Sequence, residues 1–89
     1  MLFLVAFEVK NDSIREQMTE YMKKLGGWGR VMDGVYVVHT EEYGGKEIRN
    51  MLGTFMSPSD RLFVTDISDS SWWSCGIPVV VRDFLRKHS

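Results

Sequence analysis

Few residues in this chain carry side chains able to do chemistry, and they are scattered. The single cysteine, Cys75, precedes Gly76 in an irregular stretch with Ser71 and Ser74, and the only histidines are His39 and His88. A nucleophilic thiol or hydroxyl needs a base held beside it. His39 closes an apolar run far from Cys75 in sequence, so no triad is legible. Cys75, His39 and His88 are also too few for a structural zinc site. Two acids stand in apolar surroundings: Glu8 ends Leu4-Val5-Ala6-Phe7-Glu8, and Asp66 lies in Val64-Thr65-Asp66-Ile67. On its own, Glu8 reads as a strand-end carboxylate, solvated or paired with Lys10 or Arg30. Asp66 reads as half wet, without an assigned role.

The aromatic residues suggest binding rather than catalysis. Trp28, Trp72 and Trp73, with Arg30 beside the first and Lys10 as a further cation, could form a platform on which bases stack. Such stacking contributes about 1–3 kcal/mol per base. The plainer reading is that these tryptophans cover a sheet or fill an interface. Charge does not favour the platform: 11 basic and 12 acidic residues leave a net charge of −1, whereas non-specific affinity for nucleic acid comes from neutralising phosphates.

These residues need elements to position them. Leu2 to Val9 is apolar at nearly every position, the pattern of a strand covered on both faces. Asn11-Asp12-Ser13 opens a helix, with Ser13 and Glu16 at the spacing of a capping box. Ile14, Met18, Tyr21, Met22 and Leu25 share one face, and Gly26-Gly27 is expected to stop the helix in a left-handed cap. Trp28–Met32 and Val35–Thr40 read as a hairpin, with Asp33-Gly34 suited to a type I′ turn. Lys46–Met56 reads as a second helix, weakened by Gly53 and facing inward with Ile48, Met51, Leu52 and Phe55. Arg61–Ile67 is a fourth strand. Past the break at Asp69-Ser70-Ser71, Pro78 starts a final helix with Val79, Val80, Phe84 and Leu85 inward, although Val79-Val80-Val81 would also suit a short strand.

The order strand, helix, strand, strand, helix, strand is the ferredoxin-like β-α-β-β-α-β plan: an α+β domain with a four-stranded antiparallel sheet and both helices on one face. Residues 1–68 form this core, and 69–89 form an aromatic C-terminal extension of the same domain. Eighty-nine residues make one domain with a marginal core and no disulfide to staple it. The first and third strands offer apolar side chains to both faces, so a bare second face would be a large exposed patch. A second copy of the sheet is the leading candidate to cover it, with Phe3, Val5, Phe7, Val37, Trp72 and Trp73 at the seam. The tail from Trp72 onward is the alternative cover. The apolar start lacks a basic leader and a cleavage signal, and no apolar run is long enough to span a membrane; both lead to the expectation of a cytoplasmic protein.

The chain resembles the small "Cas-two" type of CRISPR-associated nuclease and its bacterial and phage relatives. The resemblance is carried by Leu4-Val5-Ala6-Phe7-Glu8, Leu25-Gly26-Gly27-Trp28, Val35-Tyr36-Val37-Val38, Glu47-Ile48-Arg49 with Leu52, and Ser59-Asp60-Arg61-Leu62-Phe63-Val64. It spans about three-quarters of the chain and fixes a fold better than an activity. It implies a homodimer in which an acid ending the first strand meets its symmetry mate and holds a divalent metal, such as Mg²⁺. The matching residue here is Glu8, in place of the family's aspartate, one methylene longer than that position usually carries. Two functions follow as expectations. One is a dimeric, non-enzymatic module binding protein or nucleic acid with no cofactor. The other is a metal-dependent endonuclease using Glu8 from each subunit.

Overall fold

The computed structural model describes residues 1–88. The elements run β1 (Leu2–Glu8), α1 (Asp12–Lys23), β2 (Gly27–Met32), β3 (Val35–His39), α2 (Gly45–Gly53), β4 (Arg61–Asp66) and α3 (Val79–His88). The strands form one antiparallel sheet in the order β2-β3-β1-β4. This is the ferredoxin-like arrangement, with the third helix added.

Alternation along β1 sends its residues to two different cores. Phe3, Val5 and Phe7 join Met18, Met22 and Leu25 around α1 and Ile48 and Leu52 of α2 in the main core. Leu2 faces the opposite way and joins Val37, Val81 and Leu85 in a second cluster, with Trp72, Ile77 and Phe84 packed at its margin. The second sheet face is therefore covered in part by the chain's own tail. Gly29 makes this possible, because a Cβ there would lie 3.3 Å from a methyl group of Val81.

The local stops and starts differ from expectation in instructive ways. Asn11, not Ser13, caps α1: its side-chain oxygen accepts from the Ile14 N–H at 3.0 Å. The asparagine does the same capping work two residues earlier, on the Ile14 amide rather than the Glu16 amide. Gly26 is not left-handed; it is needed because a Cβ would fall 2.1 Å from the His39 carbonyl oxygen. In the β2–β3 turn only Gly34 has positive φ, +75°, and Asp33 does not. The turn is thus not type I′, and a bulge between Arg30 and Met32 absorbs the twist. The second helix ends at Gly53, short of Met56. The tail is a helix, not a strand, but it turns Val81 and Leu85 inward and leaves Val79 and Val80 exposed.

Candidate functional site

Residues paired across neighbouring strands share a sheet face, so the register shows how far α3 reaches. Gly27, His39 and Leu2 form one row, and Gly29, Val37, Leu4 and Thr65 the next. These lie at the α3 end. The following row is Met32, Val35, Ala6 and Phe63, crossing all four strands beyond the helix. Its outer members are open: Met32 is 58% and Phe63 62% exposed. Glu8 and Arg61 pair directly opposite one another in the last row, their side chains 3.9 Å apart. A shallow hollow of about 270 Å³ lies here, touched by Ala6, Val35, Glu8, Arg61 and Phe63. The site is therefore an apolar strip across the sheet with an exposed acid–base pair at its edge.

The edge strand beside this strip is unprotected. β4 holds neither proline nor lysine and pairs with β1 without a bulge. Such edges are normally blunted because their free amide and carbonyl groups invite another strand. The opposite edge, β2, carries the bulge and lies beneath α3.

Phe3, Val5 and Phe7 do not belong to a subunit seam. They point to α1 and α2 and are nearly inaccessible within one chain. Val37 does lie on the second face, but Val81 and Leu85 cover it. Trp72 packs at the margin of that cluster, and of the six expected seam residues only Trp73, 88% exposed, is open. The sequence showed that both faces were apolar but could not tell which residue went to which face. Phe63, the aromatic member of the strip, was missed as a site residue because it reads as one more apolar strand position.

The expected platform is also rearranged. Trp28 and Arg30 point to the α1 side, where Trp28 packs edge-on against Tyr36 with centroids 6.3 Å apart and Lys23 Nζ lies 4.8 Å above its ring. Arg30 is paired with Asp33, and Arg15 with Asp12. The groove between α1 and the hairpin, about 610 Å³, is further lined by Glu16 and Glu20. Paired arginines among four acids make a poor phosphate cradle. Lys10 is exposed just after β1, Trp73 lies outside the groove lining, and Trp72 packs on the other face.

Glu8 is exposed and partnered by Arg61, not by Lys10 or Arg30. No group of three or more His, Cys, Asp or Glu side chains able to hold a metal occurs among the described residues. One chain thus offers a lone carboxylate beside a cation, which does not fit a divalent ion needing several oxygen ligands; a second chain would have to supply the rest. Asp66 has a structural task. It accepts from the Ser68 hydroxyl at 2.6 Å and the Ser68 N–H at 2.9 Å, while the Ser68 oxygen accepts from Leu2 N–H. The two Ser68 hydrogen bonds hold the Asp66 carboxyl below its ordinary pKa. Cys75 is exposed.

No family model matches this chain, and no curated protein does. Among solved structures, the chain is similar to a hypothetical protein of Thermus thermophilus, TT1823. The TM-score is 0.69 at 19% identity, over 86% of this chain and 93% of that one. At that identity the likeness concerns the fold alone. No helix among the described residues is long and apolar enough to cross a membrane.

Proposed function

We propose that the chain is a non-catalytic interaction module that works as a homodimer and presents the joined surface to a protein or nucleic-acid partner. The observation carrying this reading is the uncovered row Met32–Val35–Ala6–Phe63 at the unprotected β4 edge. An apolar strip of this kind on a small domain marks a place where something docks. A second copy suits it because Glu8 and Arg61 flank the strip, and a two-fold axis would set the acid of one protomer against the base of the other. The resemblance to the CRISPR-associated nucleases leads to the same assembly, with the module as a catalytically reduced relative. Light scattering over a concentration series tests it. The wild type should reach twice the 10.3 kDa chain mass, and Phe63→Asp should stay at the single-chain mass with an unchanged circular dichroism spectrum. A wild type that remains monomeric throughout would reject the reading.

One observation supports a metal-dependent endonuclease as the second reading: Glu8 stands on the same face as the strip and is exposed. A dimer through this face would bring two such carboxylates to one seam, where a shared metal could activate water. RNA and single- and double-stranded DNA incubated with Mg²⁺ or Mn²⁺ distinguish the two. Cleavage that requires both metal and Glu8, absent in Glu8→Ala, would establish the enzyme. No cleavage, or cleavage unchanged in the variant, removes it.

A further inference from the structure

The landing point of the C-terminal helix holds both histidines of the chain. His39 ends β3 on the α3 face, and His88 ends α3. Their rings stack with centroids 4.0 Å apart and planes 24° from parallel, and Phe84 tilts against His88 at 4.6 Å. The same helix covers Leu2 and Val37 with only two fully inward side chains, Val81 and Leu85. The ring stack adds a contact to the sheet at the helix's last turn, beside Leu85 and Phe84.

The charged groups around the stack do little to tolerate two protons. Lys87 adjoins His88 on α3 and adds positive charge. From the β3–α2 loop, the Glu41 carboxylate approaches His39 Nε2 at 3.5 Å, but it already accepts from the Met1 ammonium at 2.6 Å. Two imidazolium rings face to face would place like charges about 4 Å apart, and among the described residues the carboxylate beside them, Glu41, is already engaged by Met1. We propose that the His39–His88 stack is a pH-sensitive latch: neutral, it holds α3 on the sheet; protonated in mildly acidic surroundings, it releases the helix and uncovers Leu2 and Val37. The freed surface would adjoin the strip Met32–Val35–Ala6–Phe63 and enlarge it. The latch stands or falls independently of dimerisation.

The direction of the effect follows from linkage. Burial, then the charges of His39 and Lys87, hold His88 below its ordinary pKa of 6.5. The released helix takes up a proton that the docked helix resists. The stabilisation is thus complete above the ordinary histidine value and declines as pH falls below it.

Hydrogen exchange resolved by residue, corrected for intrinsic rates, provides the test. In the wild type the opening of α3 amides should increase at least about threefold between roughly pH 7.5 and pH 5, while β1 and β3 amides in the main sheet stay protected. His88→Phe keeps a stacking ring that cannot be protonated, and its α3 opening should be flat with pH. A wild type without pH dependence, or a variant that opens as the wild type does, overturns the latch. Should the variant misfold, the imidazole resonances of the wild type decide. A His88 midpoint below the free-imidazole value, followed by α3 amide shifts on the same curve, sustains the latch. A midpoint at or above that value overturns it.

Discussion

Val5 and Val37 are both nearly inaccessible valines near the middle of the sheet, at 0% and 1% exposure, yet aspartate should act very differently at the two positions. Val5 belongs to the main core between the sheet and helices α1 and α2. An aspartate there has no escape route short of global unfolding. Losing the buried valine removes about 1.5–3 kcal/mol, driving the carboxyl to its neutral form costs about 4 kcal/mol at pH 7, and burying that acid unpaired adds about 1–3 kcal/mol. A domain of 89 residues has a total stability of roughly 4–13 kcal/mol, so Val5→Asp should be largely unfolded. Val37 is sealed by the C-terminal tail, chiefly Val81 and Leu85 of α3, with Trp72, Ile77 and Phe84 at the margin. Its aspartate reaches water once that helix lifts. The penalty is capped by the docking free energy of α3, whose largest part comes from burying Val81 and Leu85, beside the Phe84 and His88 ring contacts. Two such burials contribute roughly 3–6 kcal/mol gross, less the entropy of ordering the helix, leaving a cap of about 3 kcal/mol. Urea titration followed by circular dichroism, with residue-resolved hydrogen exchange on α3, measures both. Val37→Asp should keep a cooperative transition with α3 amides unprotected. If it proves as unfolded as Val5→Asp, the two cores are one cooperative unit and the reasoning fails. If Val5→Asp stays folded, the burial argument itself is wrong.

Two further outcomes follow from the local geometry. Gly53→Ala should raise stability by about 0.5–1 kcal/mol in a thermal melt, because a Cβ there meets nothing within 4 Å and alanine restricts the unfolded chain. Asp66→Asn should flatten the acid limb of the stability curve. The Asp66 carboxyl is held below its ordinary 3.8 by Ser68, so its contribution is present above that value and is lost as pH falls through the folded-state pKa. Thermal midpoints of the two proteins should converge at low pH and differ near neutrality.

The element order and the antiparallel plan were legible because each element carried its own signal. Met18, Met22 and Leu25 announced the inner face of α1, and the unbroken apolar run of β1 announced a strand covered twice. What the sequence could not convey was assignment of faces. Phe3 and Leu2 are equally apolar, and only pairing and helix placement send one to the main core and the other to α3. The same limit hid Phe63, whose exposure depends on where α3 stops rather than on its neighbours in the chain. Turn chemistry misled in a different way. Asp33-Gly34 satisfies the type I′ pattern, but the bulge after Arg30 absorbs the twist that such a turn would provide. The Glu8–Arg61 pair joins residues far apart in sequence, so the nearer Lys10 and Arg30 seemed the obvious partners.

We propose the strip left open by α3 as the place where this chain meets its own copy. A dilution series of amide and methyl NMR spectra addresses it at each residue. Concentration-dependent shifts are expected at Ala6, Val35 and Phe63, with Trp28, Lys23 and the groove beside α1 unmoved. Spectra that do not change with concentration at the single-chain mass, or shifts confined to the β2 edge and α1, would contradict it.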